Sequence, residues 1–240
     1  MSSAAVWHEV ECGGYAADLP VWERLAVAAD SPVLELGCGT GRVALRLASR
    51  NGEIWAVDAD TSLVATLRAR AAARGLSVRA VCADVRVLDL GREFELILAP
   101  MQLLQMLGSA APRRAALERV ASHLAPGGRL AAAIVEAASA LPDGPRAALP
   151  DIRELDGWVY SSLPVARLKG EGMIEIRRHR QAVSPDGTLS QEEHTDRLDA
   201  LDATALESEA AALGLRPAGR LDVPPADEYL GSTVVMLERP

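Results

Sequence analysis

The chain has 240 residues, 49% apolar and 24% charged, which suits one globular domain, or one core carrying an appended subdomain, and argues against a disordered chain. Its net charge of −8 argues against a general nucleic-acid binder, because affinity for a polyanion comes mainly from phosphate neutralisation by Lys and Arg. Cys12, Cys38 and Cys82 lack C-x-x-C spacing, so they suggest neither a disulfide framework nor a zinc site and are expected as buried or half-buried thiols. No run approaches the roughly 18 apolar residues of a membrane span and the N-terminus lacks a charged-then-apolar signal pattern, so a cytoplasmic protein without a membrane partner is expected.

In chain order, Tyr15, Leu19, Trp22, Leu25 and Ala26 recur at roughly helical spacing and predict a helical cap over residues 1–32, interrupted near Pro20. Residues 33–48, VLELGCGTGRVALRLA, then read as a buried strand, a glycine turn and a helix in immediate succession. Val33, Leu34 and Leu36 form the apolar run, Gly37, Gly39 and Gly41 alternate through the turn, and Val43, Ala44, Leu47 and Ala48 follow at helical spacing. Alternating glycines allow positive φ and a close approach to the main chain, while the helix start offers free N–H groups. An anionic group should dock there. The dinucleotide fingerprint G-x-G-x-x-G requires a third glycine for helix–strand packing, but that place holds Arg42, which weakens a nicotinamide reading. What stands is E-L-G-C-G-T-G with Glu35 just before the turn, and this resembles motif I of the class I S-adenosylmethionine-dependent methyltransferases.

The next segments follow the same family's order. GEIWAVDAD, residues 52–60, is a second strand ending in Asp58, about twenty residues beyond the turn, where a carboxylate can accept ribose hydroxyl hydrogen bonds. A helix from Leu63 should end at Gly75, and a third strand should close at Cys82, Ala83 and Asp84. In the resembled family an acid here reaches the adenine amino group, and the next backbone N–H, that of Val85, meets a ring nitrogen. Residues 94–100, FELILAP, are the fourth strand, apolar as a parallel strand covered on both faces should be. Ligands in open α/β sheets bind beyond the carboxyl ends of strands where the strand order reverses. The resemblance therefore implies cofactor contacts at Tyr15, Glu35, Gly37, Cys38, Gly39, Asp58, Ala59, Asp84, Val85 and Ala99, and a methyl acceptor near Pro100, Met101 and Gln102. The family often carries an acid or asparagine close to this strand end, and A-P-M-Q here leaves the substrate class open.

Residues 112–124 predict a helix, with His123 in its last turn serving structure rather than catalysis. LAPGGRLAAAIVE, residues 124–136, resembles the family's L-x-P-G-G turn and fifth strand. Residues 137–156, with PDGP at 142–145, read as a loop. Residues 157–201 form a small antiparallel insertion, with Ser184-Pro185-Asp186-Gly187 as a hairpin turn. Its RRHR at 177–180 faces QEEHTD at 191–196, so cross-strand ion pairing accounts for the basic run better than phosphate binding. Asp202 caps a last helix that Gly214 stops, and residues 215–223 and 232–239 make a terminal hairpin, joined by a segment whose Tyr229 reaches back to the substrate side. Trp158 and His179 of the insertion complete the expected substrate contacts.

Together these elements predict an α/β fold: one domain over residues 1–240 with a Rossmann-like, seven-stranded, mostly parallel methyltransferase sheet. Its cofactor core spans 33–136, the antiparallel β insertion 157–201, and the C-terminal helix and antiparallel hairpin 202–240. The resemblance implies S-adenosylmethionine as cofactor, S-adenosylhomocysteine as product, and methyl transfer to an N, O or C nucleophile of a small molecule such as a natural product. No catalytic residue is identified; His179, His194 and Tyr15 are the candidate bases if the acceptor needs one. No metal-ligand cluster is apparent. The insertion offers a surface for self-association. Two other readings stand: a catalytically silent scaffold that keeps the fold, and an NAD-dependent oxidoreductase, which Arg42 disfavours.

Overall fold

A computed structural model describes residues 1–29, 32–50, 52–136, 149–170, 172–226 and 229–240. The core is laid down by alternating strands and helices: β1 (Val33–Leu36), α3 (Arg42–Ala48), β2 (Ile54–Asp58), α4 (Thr61–Ala73), β3 (Val78–Cys82), β4 (Phe94–Ala99), α5 (Leu103–Met106), α6 (Ala110–His123) and β5 (Leu124–Ile134). After the insertion come α7 (Ala203–Ala211), β10 (Arg216–Val223) and β11 (Ser232–Glu238). The seven strands lie in the order β10-β11-β5-β4-β1-β2-β3. Strands β1 to β5 are mutually parallel, while β11 runs antiparallel to both β5 and β10. The terminal strands thus extend the sheet, with β11 inserted between β5 and β10. The order reverses between β1 and β4, as the sequence requires, which opens a crevice beyond their carboxyl ends. Both faces are covered. Leu34, Leu36, Ile97 and Leu130 pack towards α6 and α7, and Leu98, Ala131 and Val234 pack towards α3 and the helix Leu19–Val27.

The helix ends follow sequence chemistry. Asp60 accepts the N–H groups of Ser62 (2.7 Å) and Leu63 (3.2 Å) to start α4, and Asp202 accepts that of Ala205 (2.8 Å) to start α7; each satisfies orphan donors of a first turn. His123 accepts the Leu90 N–H at Nε2 (2.9 Å), and its Nδ1 lies 2.7 Å from the Arg119 carbonyl, so it ties α6 to the loop before β4, a structural role.

The cap differs from the expected single helix. It comprises α1 (Ser3–Cys12) and α2 (Leu19–Val27), and the break falls between them, not at Pro20. Pro20 lies in the first turn of α2, where its missing N–H costs nothing because that donor has no helical partner. The expected loop over 137–156 also needs correction at its end, since Asp151–Leu155 is a strand, β6; PDGP at 142–145 lies outside the described residues. Cys82 is exposed, unlike Cys12 and Cys38.

The insertion is a four-stranded antiparallel sheet in the order β6-β7-β8-β9, with β7 at Trp158–Gly170, β8 at Met173–Val183 and β9 at Leu189–Asp199. Register places Ser162, Arg180 and Glu192 side by side, next to the row of Pro164, Arg178 and His194. This face turns inward: Val6, Trp7 and Val10 of α1 pack against Leu155 and Tyr160. A buried ion pair joins it to α1. Arg180 donates to Glu11 from Nε (2.7 Å) and Nη2 (2.8 Å), Ser162 donates to the same carboxylate (2.7 Å), and the guanidinium lies 5.0 Å from the centre of the Trp7 ring. Burial opposes the Glu11 charge, but Arg180, Arg178 and Ser162 outweigh it and hold the carboxyl below its ordinary pKa. The cross-strand pairs expected of RRHR are present, with His179 on Glu193 and Arg180 also near Glu192.

Removing one partner of such a pair leaves a buried charge. Arg180→Met should lower the unfolding free energy by about 3–5 kcal/mol at pH 7 in urea titrations. Because the wild-type Glu11 pKa is depressed, the pair's contribution is present above the unfolded carboxyl value of about 4.3 and fades as pH falls through the folded value. The deficit of the variant should therefore shrink in acid, and a deficit independent of pH would contradict the assigned pair.

Candidate functional site

The site is built on the turn between β1 and α3. Gly37, Gly39 and Gly41 have φ of 66°, 54° and 95°, all in the left-handed region that a side chain disfavours by roughly 1–2 kcal/mol. The Cys38 N–H donates to the Val57 carbonyl (3.0 Å) and that of Ala83 to the Asp58 carbonyl (3.0 Å), which fixes the turn against the ends of β2 and β3. Asp58 accepts the Gly39 N–H (2.9 Å) at one oxygen and the Asp60 N–H (2.9 Å) at the other. An ionised carboxylate offers about four acceptor positions, so a pair of lone pairs stays available in an oriented group.

Asp84 follows β3, Asp58 ends β2, Gly37 follows β1 and Ala99 ends β4. These strands are adjacent in the order β4-β1-β2-β3, so the four positions are spread over about 14 Å along one sheet edge. Ala59 and Val85 are next to the two acids. Asp84 is folded back on its own turn: it accepts the Arg86 N–H (2.8 Å) and pairs with the Arg86 guanidinium, which holds its carboxyl below the ordinary value. Beyond Ala99 and Pro100, Met101 and Gln102 have φ of 52° and 59°. Two consecutive left-handed non-glycine residues cost about 1–3 kcal/mol each, a strain of the kind that collects at functional sites.

Glu35 is 2% exposed, and its Oε2 has no hydrogen-bond partner. Burial pushes its pKa up to about 8, against the pull of Arg42 and the Ala44 N–H. Arg42, at the first position of α3, forms a bidentate pair with Asp18 (2.5 and 2.7 Å), donates to the Tyr15 carbonyl (2.9 Å) and lies 5.1 Å from the centre of the Tyr15 ring. Trp22, fully buried, donates from its indole to Asp18 (2.8 Å). Burial works against the Arg42 charge, but Asp18 raises its pKa nonetheless. The residue standing in the expected glycine position thus anchors the cap.

The other expected residues divide. Tyr15 is buried against Tyr229, with ring centres 4.7 Å apart, and burial pushes its hydroxyl up to about 12. The Tyr229 hydroxyl, with one proton to donate, lies 3.2 Å from the Glu11 carbonyl and 3.1 Å from Asp151. Trp158 stacks on Tyr160 at the sheet rim. His179 is not brought to the glycine turn: it shares the outward face of the insertion with Gln191 and Glu193, because side chains alternate along β8 and the inward face carries Arg178 and Arg180. His194 is on the inward face, 3.1 Å from Asp196. A cavity of about 530 Å³ has Tyr15, Leu45, Arg46, Arg70, Arg74 and Leu76 among its lining residues. Its walls contain none of Gly37, Gly39, Asp58, Asp84 or Ala99.

Two residues of α1 missed in the sequence reach the turn. His8 Nδ1 lies 3.2 Å from Thr40 Oγ1. Glu9 accepts from Thr40 (3.3 Å) and Arg70 (2.7 Å). The signal for α1 is present, with Ser2 as its cap and Val6 and Val10 one turn apart, but nothing local says which face meets the turn.

Residues 33–128 match the family model described as methyltransferase domain. A search of curated proteins finds no match. Among solved structures, the chain resembles an amino pentose methyltransferase from Micromonospora echinaspora, involved in calicheamicin biosynthesis and determined with S-adenosylmethionine bound, at 19% identity and a TM-score of 0.75, covering 100% of this chain and 98% of that one. It also resembles a sugar N-methyltransferase from Streptoalloteichus sp, at 19% identity and a TM-score of 0.76 over 98% and 92% of the two chains. The CcbJ methyltransferase from Streptomyces caelestis is similar at 23% identity and a TM-score of 0.72, over 95% and 98%. At these identities the likeness is one of fold. With the domain match, it bears out the resemblance to class I S-adenosylmethionine-dependent methyltransferases.

Glu35 gives a measurable consequence. A carboxyl whose folded pKa is raised contributes stability that is full below its unfolded pKa and is lost as pH rises through the folded value. Glu35→Gln, which cannot ionise, should therefore melt near the wild-type temperature at pH 4 and above it at pH 8 to 9. A difference in melting temperature that does not grow with pH would show that Glu35 is ionised at neutral pH.

Proposed function

We propose that the protein transfers a methyl group from S-adenosylmethionine to an amine of a small molecule. The observation that carries this reading is the alignment of the glycine turn, Asp58, Asp84 and Ala99 along the carboxyl ends of four adjacent parallel strands. They fit the cofactor. The positive-φ glycines leave a main-chain surface without side chains, and Asp58 is held by two backbone N–H groups with acceptor capacity to spare for ribose hydroxyls. Asp84, with the Val85 N–H beside it, would meet the adenine.

When bound, S-adenosylmethionine supplies an electrophilic methyl on a sulfonium. The protein's part is to position and to exclude water. Cys38 is buried, and burial raises its thiol so that it stays neutral beside the turn. Leu103 of α5 lies against Gly37, and Pro100, Met101 and Gln102 form the wall at the end of β4. Holding two reactants in attack geometry accounts for roughly 7 to 11 kcal/mol in favourable cases. An amine is favoured because, when neutral, it attacks without prior loss of a proton, which suits a strand end carrying A-P-M-Q and no acid or base. The sugar N-methyltransferase among the similar structures supports the same acceptor class. The methyltransferase domain match weighs against the oxidoreductase alternative.

Titration calorimetry should give saturable binding of S-adenosylmethionine and S-adenosylhomocysteine and none of NAD. Asp58→Ala should weaken S-adenosylhomocysteine by about 10- to 100-fold, the loss expected for a hydrogen bond to a charged group. An unchanged dissociation constant would remove Asp58 from the site. Mass spectrometry of reactions with a panel of amino sugars and matching hydroxy sugars tests the acceptor, and methylation confined to hydroxyls would overturn the amine.

A further inference from the structure

His8 has no task in the chemistry described so far. It lies on α1, whose cap Ser2 hydrogen-bonds Ser62 at the start of α4 (2.8 Å), so the helix crosses the carboxyl end of β2 before reaching the glycine turn. The imidazole then covers Gly39: a Cβ on that residue would lie 2.0 Å from Nε2 and 2.3 Å from Cε1. Asp58 approaches the same residue by accepting its N–H. His8 and Asp58 therefore converge on Gly39.

The hydrogen bonds of Thr40 determine which ring nitrogen carries the proton. The Thr40 hydroxyl donates to Glu9, whose carboxylate is held in turn by Arg70. With its only proton committed, Thr40 Oγ1 can only accept from His8, so Nδ1 bears the hydrogen and Nε2 presents a bare lone pair. Burial lowers the pKa of the ring; Asp58 and Glu9 oppose this and Arg42 and Arg70 reinforce it. A neutral ring suits a site for a cationic sulfonium compound, which an imidazolium would repel.

We infer that His8 is a cofactor-binding residue, and that its Nε2 accepts a hydrogen bond from a ribose hydroxyl of the adenosyl group beside Asp58. The inference rests on the S-adenosylmethionine reading above. A histidine that merely filled space over Gly39 would need neither the oriented tautomer nor the Thr40–Glu9–Arg70 relay behind it.

Two substitutions separate the ring nitrogens in the full-length protein. His8→Asn keeps a donor for Thr40 and removes the Nε2 acceptor; His8→Gln carries an amide oxygen to the Nε2 position. Binding of S-adenosylhomocysteine and of 5′-methylthioadenosine, which keeps the ribose and lacks the amino-acid end, is measured by calorimetry, with thermal melts confirming that both variants are folded. His8→Asn should weaken both ligands about tenfold, and His8→Gln should stay within about threefold of wild type. Equal binding by wild type and His8→Asn overturns the inference, as does a loss confined to S-adenosylhomocysteine, which would assign His8 to the amino-acid end. Absence of S-adenosylhomocysteine binding by the wild-type protein overturns the cofactor reading together with this one, a result visible before any variant is made.

Discussion

The carboxyl edge of the sheet depends on a backbone constraint: between Leu36 and Arg42 the chain must turn from a buried strand into a helix, and it does so through three left-handed glycines. That path leaves main chain without side chains where the strand order reverses. Three neighbours approach these glycines on the side a Cβ would take. Leu103 lies against Gly37, His8 against Gly39, and Leu67 against Gly41. The same turn presents the Gly39 N–H to Asp58 and so fixes the orientation of its carboxylate. Backbone geometry, cap docking and side-chain orientation are consequences of one short segment.

Around that turn, buried charge is used for attachment. Asp18 with Arg42 secures the cap to α3, and Glu11 with Arg180 secures it to the insertion. Arg113 pairs with Asp199 and Glu209, which connects α6 to the end of β9 and to α7. Each pair joins elements far apart in sequence. A pair of this kind adds little net stability over apolar residues of the same volume, but it penalises any arrangement that separates the partners. The cap and the insertion are therefore held in one register over the sheet edge.

This arrangement also explains why the insertion's basic run divides in two. Alternation along β8 sends His179 outward to Glu193 and Arg180 inward to Glu11. The outward residues form ordinary surface pairs, worth little individually, whereas the inward ones touch α1. Among the four histidines, the one at the glycine turn is His8, and it arrives on α1.

Most of the sheet was legible because its signals are local. Apolar runs bounded by Gly or Pro mark β1, β2 and β4, Asp202 and Gly214 bracket α7, and E-L-G-C-G-T-G followed by Asp58 and Asp84 marks the successive strand ends along one sheet edge. Tertiary structure alone decided what depends on long-range pairing. The two-helix cap, the strand at Asp151–Leu155, the packing of Tyr15 on Tyr229, and the approach of His8 to Gly39 all join residues that no periodicity connects. Arg42 shows the difference most plainly: its sequence position says that a packing glycine is missing, and only the fold shows a guanidinium buried on Asp18. Hydrogen-bond partners and hydrophobic period are written within a few residues, but the choice of which helix face covers a turn is made by the burial of Trp7 and Val10 against a distant sheet.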